Sequence, residues 1–273
     1  MNATSPKANR GHYDSNYGNF ESDLYAEIRR EAFGEDIGQN SWLTADEQDR
    51  FMERLELSSA KRVLDIGCGA GGPALRIAEK SGCSVVGVDV HESAVTAAKS
   101  LGLKHGLVGR AEFRLLDGAA KLPFSDAEFD AVTCIDAVNH LPNRPDVFLE
   151  WKRVLKPAGR LLFTDPITMT GPLSNEEMTI RSSLGYFLFV PAGYDRQLLE
   201  QCGFQMLACE DVTKNMAEVA EKRRRARAKR EAALRKIEGD DTYNGQQVFL
   251  EVASRLARER RLSRFLFVAE KKS

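Results

Sequence analysis

The sequence has no apolar run long enough to cross a bilayer, and its start lacks the charged and apolar regions of a secretion signal. Histidine and cysteine are scarce. The four histidines and five cysteines form no C-x-x-C pair and no zinc-ligand spacing, which argues against a metal or disulfide scaffold. Cys68, Cys83, Cys134, Cys202 and Cys209 therefore read as reduced, mostly buried small hydrophobes. Cys68 and Cys134 are expected to line a ligand pocket by position, but neither has the basic neighbour that would make it a nucleophile. No sign of charge prevails either, because 39 basic residues face 40 acidic ones and the formal net charge is -1. That balance gives no global reason to expect a nucleic-acid or membrane partner. The expectation is a cytoplasmic protein with one large core and some excursions, which suits 273 residues better than two full domains.

What is present is a glycine-rich turn. In Val63-Leu64-Asp65-Ile66-Gly67-Cys68-Gly69-Ala70-Gly71-Gly72 an apolar run stops and opens into a loop. Glycines 67, 69 and 72 fit G-x-G-x-x-G, which lets the backbone turn sharply and approach a ligand without a Cβ in the way. A second apolar run, Val85-Val86-Gly87-Val88, ends at Asp89. The two acids bear on the ligand's charge. A dinucleotide would bring an anionic pyrophosphate to a loop flanked by carboxylates, whereas S-adenosylmethionine (SAM) brings a sulfonium and an ammonium that Asp65 would favour. Asp89 can accept hydrogen bonds from ribose hydroxyls. A nicotinamide or flavin cofactor, and a plain strand-to-helix turn capped by an Asp, remain the competing readings.

Around this turn the pattern alternates. Polar residues 1–11 are expected to be disordered, and Tyr13, Tyr17, Phe20 and Tyr25 then lead into a helix over 24–33. Residues 34–42 read as a loop, and a helix over 46–57 follows a capping-box pattern of Thr44 and Glu47. Helices are expected over 73–80, 93–101 and 145–155, and strands over 111–116, 129–135 and 160–164. Each strand ends near an acid, so Asp65, Asp89, Asp117, Asp136 and Asp165 are expected to crowd the carboxyl edge of one parallel sheet, where such folds bind ligands. Beyond Asp165 come an excursion with the aromatic run Tyr186-Phe187-Leu188-Phe189, a helix over 195–201, a strand over 204–211, a long helical segment and a last strand over 264–268. That aromatic run could be pocket wall, dimer contact or core.

The basic stretch 222–236 has arginine or lysine at nearly every other position, with apolar residues near helical spacing. It reads as a solvated helix face, as a lid helix whose arginines meet an acidic substrate group, or as a nucleic-acid contact. The third reading lacks the stacking aromatics it would need.

The run from Val63 to Asp165 resembles the class I SAM-dependent methyltransferases. Val63 to Gly69 is similar to their first motif, Val88-Asp89 to the second, Asp117-Gly118 to the adenine-contacting motif, and Leu155-Lys156-Pro157-Ala158-Gly159-Arg160-Leu161 to the turn into the fifth strand. The resemblance implies a Rossmann-like, doubly wound α/β fold with a seven-stranded sheet, mostly parallel, and an antiparallel last strand. It implies a lid over 12–57 and a methyltransferase domain over 58–273 with excursions at 166–194 and 212–262. A finer resemblance is to the small-molecule branch with phosphoethanolamine, glycine and sarcosine N-methyltransferases and some sugar O-methyltransferases. There Phe33-Gly34-Glu35-Asp36-Ile37-Gly38-Gln39-Asn40-Ser41 is similar to the loop that closes over SAM, with Gln39 at the place of a cofactor-binding serine. Tyr17 and Tyr25 keep the spacing of two tyrosines, and His140 stands where the first of these finds its histidine partner. The branch's arginine before the fourth-strand Asp is Ile135 here, and the stretch between Tyr25 and Phe33 is about one turn longer.

Methyl transfer is an in-line displacement, so the protein mostly holds nucleophile, methyl and sulfur in line at about 3 Å. The expected site places Asp65, Gly67, Gly69, Asp89, Val90, Asp117, Gly118, Ile135 and Gln39 on the methyl donor. His140 is expected as the proton acceptor, with Asp165 orienting it and Tyr17 closing on it. Phe187, Leu188, Phe189, Met169 and Arg181 are candidates for the acceptor pocket. The expected acceptor is N or O of a small molecule, and the protein is expected as a monomer or homodimer. An RNA or protein methyltransferase working through residues 222–236, a nicotinamide enzyme and a non-catalytic SAM sensor remain the other readings.

Overall fold

A computed structural model describes residues 17–272, so the expected disorder at 1–11 and Tyr13 lie outside the described residues. The strands are β1 Arg62–Ile66, β2 Ser84–Asp89, β3 Ala111–Leu115, β4 Phe129–Ile135, β5 Leu155–Met169, β6 Val190–Pro191, β7 Phe204–Asp211 and β8 Leu262–Lys271. Seven of them form one path, β3-β2-β1-β4-β5-β8-β7, and the two-residue β6 pairs with β5 off that path. The first five strands along it are parallel, and β8 runs antiparallel to both β5 and β7. β1 and β4 are almost entirely buried, as parallel strands covered by helices on both faces must be.

Helices α1 Asp23–Phe33 and α2 Ala45–Glu53 precede the sheet. α1 stops at Gly34, whose φ of 84° suits glycine. Thr44 caps α2 by accepting from the Glu47 N–H, but only half of the expected capping box forms, because the Glu47 carboxylate turns away to Arg264. α3 Gly72–Ser81 and α4 Glu92–Lys104 connect the first strands, and α5 Arg144–Val154 connects β4 to β5. α6 Asn175–Arg181 and α7 Tyr194–Gln201 follow β5. The expected long helical segment is three helices, α8 Thr213–Ala228, α9 Glu231–Glu238 and α10 Asp240–Arg258. With α1 they make a cap whose apolar faces join through Ala32, Trp42, Met216, Ala220 and Phe249. None of the helices among the described residues is long and apolar enough to cross a membrane.

The main departure from expectation is β5. It runs through the Lys156–Gly159 stretch and continues past Asp165 to Met169, with a bulge against β8 between Asp165 and Thr168. Pro166 sits in that bulge, where its missing N–H leaves no gap in the ladder. Asp165 is therefore interior to a central strand rather than at its end, which decides its role below.

Candidate active site

The glycine turn follows β1 directly. The N–H groups of Gly67 and Cys68 both donate to the Val88 carbonyl at the end of β2, at 2.8 and 3.1 Å. Gly67 has φ 69°, and a Cβ there would stand 2.6 Å from that of Ala137. Gly72 is needed for a different reason: its Cβ would meet the Ile37 carbonyl at 1.8 Å, so the third glycine is where the 34–42 loop lies against the start of α3. The 34–42 loop and the glycine turn were legible separately in the sequence. Their contact was not.

Two carboxylates face the turn. The β1–β4 register sets Asp65 opposite Thr133, whose hydroxyl donates to it at 2.7 Å. Asp65 is only 4% exposed, and burial, with Asp89 nearby, pushes its carboxyl up to about 7. Asp89 accepts from the N–H groups of Gly69 and His91, at 2.9 and 3.0 Å, and burial raises its pKa as well. The Val90 N–H adds a third hydrogen bond to the same carboxylate. A cavity of about 280 Å³ opens between the strand ends and the 34–42 loop. Tyr17, Asp65, Gly67, Gly69, Asp89, Val90, Asp117, Gly118, Ile135 and His140 all line it, so ten expected site residues meet in one place. Cys68 lines it too, with its thiol pushed well above the usual range by burial and the two acids. Cys134 instead belongs to the core. Two partly desolvated carboxylates suit a cationic ligand and would oppose a pyrophosphate, so the residues fit SAM.

Two expected site residues stand elsewhere. Gln39 is buried but folds back on its own loop, accepting from the Ile37 N–H and donating to the Glu35 carbonyl; Gly38, Asn40 and Ser41 face the cavity instead. Asp165 pairs with another residue, although its charge still acts on His140. It is fully buried with Arg144, whose Nη1 lies 2.7 Å from Asp165 and 2.6 Å from Asp195. The His140 ring is held by the Tyr186 carbonyl, 2.7 Å from Nδ1. That contact assigns the proton to Nδ1 and the lone pair to Nε2. Phe187 packs on the ring edge-on at 4.6 Å. Burial foremost, with added repulsion from His91 and Arg181, lowers the imidazole to about 4, so it is neutral at pH 7. Tyr25 also departs, since its hydroxyl donates to Glu238 beneath the cap.

A second, smaller cavity of about 80 Å³ lies between the strand ends and the cap helices. It shares Asn40, Ser41, Asp136, His140 and Leu184 with the first. Of the acceptor-pocket candidates, Arg181 and Phe187 line it; Met169, Leu188 and Phe189 do not. Asp136, with φ 53°, closes β4 and holds the junction. It accepts from the Trp42 N–H of the 34–42 loop at 2.9 Å, from the Thr164 hydroxyl at 2.7 Å and from Arg264 Nε at 2.7 Å. Arg264 Nη1 in turn reaches Glu47 at 2.7 Å, and Asn215 ties Glu47 to the Trp42 carbonyl. Sequence reading passed over Arg264. The available signal was an arginine sharing the alternation of Leu262, Leu266 and Val268, a core-facing place that a guanidinium occupies only with buried partners.

The strand order, the antiparallel β8 and a site at the carboxyl edge define a Rossmann-like methyltransferase fold. The description "Methyltransferase domain" fits residues 64–163. The 27-O-demethylrifamycin SV methyltransferase of Amycolatopsis mediterranei is 30% identical over 203 residues, 70% of this chain and 74% of that one. Methyltransferase GfsG of Streptomyces halstedii is 34% identical over 174 residues, and the alignment spans 60% of each chain. Phosphoethanolamine N-methyltransferase 2 of Haemonchus contortus, solved with phosphomonomethylethanolamine and S-adenosylhomocysteine, superposes with a TM-score of 0.80 at 21% identity, over 96% of this chain and 60% of that one. The chain belongs to the SAM-dependent methyltransferase family.

Proposed function

We propose that this protein transfers a methyl group from SAM to N or O of a small-molecule acceptor held in the second cavity. The observation that carries this is the shared wall: His140 and Asp136 face both cavities at once. When bound, SAM supplies a methyl carbon already activated on a sulfonium. The protein's part is placement. Asp65 favours the donor's ammonium, Asp89 accepts from its ribose, and Val90, Asp117, Gly118 and Ile135 enclose the adenosyl end. Tyr17 and the 34–42 loop exclude water as a lid. Nε2 of His140 takes the acceptor's proton or orients its hydroxyl. Asp165 stays outside this machinery, as a partner of Arg144.

The basic stretch 222–236 supports a small acceptor over RNA or protein. Arg224 pairs with Glu221, Arg227 with Glu238, Arg230 with Glu27 and Glu31, and Arg235 with Glu231 and Asp240. Of these, Arg227 with Glu238, Arg230 with Glu27 and Glu31, and Arg235 with Asp240 tie one segment of the cap to another. A cytoplasmic monomer or homodimer is the companion proposal. Calorimetric titration with S-adenosylhomocysteine, with NAD alongside, tests the donor site: micromolar binding of the first alone is the expected result. Binding of NAD instead would overturn it.

A further inference from the structure

We propose that Asn139 is a specificity-determining residue of the acceptor site: its buried carboxamide accepts a hydrogen bond from a neutral hydroxyl or N–H of the acceptor, a group other than the one that is methylated. This rests on the acceptor cavity proposed above and goes further, because it names the group that the cavity recognises and the residue that recognises it.

Asn139 lies in the short 3₁₀ turn Val138–His140 that follows β4, three residues after Asp136 and next to His140. All three line the second cavity. The backbone of the turn is settled, since the Asn139 carbonyl accepts from the Leu188 N–H at 2.8 Å and the His140 N–H donates to the Ala137 carbonyl at 3.0 Å. The side chain is not. Asn139 is only 1% exposed, and its Oδ1 is buried with no hydrogen-bond partner among the described residues. Folding pays for a buried acceptor left unanswered, and native chains keep few of them. An apolar residue at this position would avoid that cost. Other buried groups without a partner, Trp151 Nε1 and Thr168 Oγ1 among them, line neither cavity, so the place of Asn139 is what sets it apart. An unanswered amide in a cavity wall is a group kept for what the cavity binds.

Neighbouring polar groups of the wall are already taken. Ser41 Oγ accepts from the Leu43 N–H at 3.2 Å, and the Asp136 carboxylate holds the Trp42 N–H, the Thr164 hydroxyl and Arg264. The chemistry of the amide then sets its partner. Its open atom is an acceptor, so the partner must be a donor; a carboxamide has no charge to offset that of an ammonium, so a neutral hydroxyl or N–H is the match. Trp42, Phe187 and Phe249 place flat apolar surface in the same wall, with Trp42 and Phe249 stacked at 12°, which suits a ring as the carrier of that group. Because Asn139 and His140 are consecutive, the recognised group lies close to the reacting one.

The test uses the full chain saturated with S-adenosylhomocysteine and titrated by calorimetry with catechol and, separately, with phenol, which lacks the second hydroxyl. Catechol is expected to bind about tenfold more tightly or better, since a site built to bond a hydroxyl rejects the analogue without it. Asn139→Ala should remove most of that preference while S-adenosylhomocysteine affinity and the thermal midpoint of the ligand-free chain hold, because the amide has no hydrogen bond in the fold to lose. Asn139→Ser should keep part of the preference. If Asn139→Ala does not fold, the binding ratio of Asn139→Leu is read in its place. A merely structural amide would lower the midpoint in Asn139→Ala and leave the ratio alone, and that result overturns the inference. So do equal binding of the two rings, no binding of catechol, and an undiminished preference in the folded variant. Failure of the wild-type chain to bind S-adenosylhomocysteine at all would instead overturn the donor-site reading beneath it.

Discussion

The two cavities meet at His140 but are made of different material. The first is walled mainly by backbone and carboxylates at the glycine turn and the strand ends, joined by Tyr17, the 34–42 loop and the stretch 184–186. The second is walled by arginines and aromatic rings from the 34–42 loop, α6, α8 and α10, segments that span more than 200 residues of the chain from Asn40 to Leu250. One is dictated by local sequence and the other by packing. The same contrast separates two of the buried arginines. Arg144 and Arg264 each lie between two carboxylates, yet Asp136 faces both cavities while Asp165 faces neither.

Removing the shared wall should have the largest effect. His140→Ala is expected to lower turnover by roughly 10²–10⁴ while S-adenosylhomocysteine affinity holds, measured by steady-state rates and calorimetry. Asp165→Asn should instead show itself in stability, because its partner is Arg144; a rate loss equal to that of His140→Ala with unchanged stability would restore the dyad. Arg264→Met leaves Asp136 and Glu47 facing each other without their cation. That should cost about 3–5 kcal/mol of stability in denaturant unfolding and loosen the lid through Trp42. On the donor side, Asp89→Ala should weaken S-adenosylhomocysteine binding tenfold or more, in line with the loss of charged hydrogen bonds of about 1.5–3 kcal/mol. Unchanged affinity would remove the ribose assignment.

Acidity separates the two sides further. Asp65 is raised to about 7, so the folded chain keeps a proton that the unfolded chain loses near 4, and this group favours folding less as pH rises between those values. A bound ammonium requires the ionised form, so donor affinity should rise about tenfold from pH 6 to 8 and flatten in Asp65→Asn. His140, lowered to about 4, has the opposite slope: the unfolded chain binds the extra proton between about 4 and 6.5, and stability gains as pH rises through that window. The smallest change is expected at the cap's outer face. Arg225 is 69% exposed beside Glu221, and Arg225→Ala should alter stability by about 0–0.5 kcal/mol and turnover not at all. Salt-sensitive RNA binding that Arg225→Ala weakens would argue for the macromolecular reading.

Short-range patterning by itself determined the donor half. Glycine spacing, apolar runs ending in acids and helical periodicity are local signals, and they located the strands, the turn and the acids Asp65, Asp89 and Asp117 that now line one cavity; Tyr17 and His140 were expected there only from the family resemblance. They failed where a distant partner decides the outcome. Pro166 looks like a strand end until β8 supplies a bulge that tolerates it, and that bulge carries Asp165 into the core. Gln39 looks like a ligand contact until its loop closes on its amide. Only the tertiary structure gave His140 its orienting carbonyl 46 residues away, and Asp136 its arginine 128 residues away. Burial and pairing are properties of what surrounds a side chain after the chain has folded, and they, more than residue type, set which acids and bases here can carry charge.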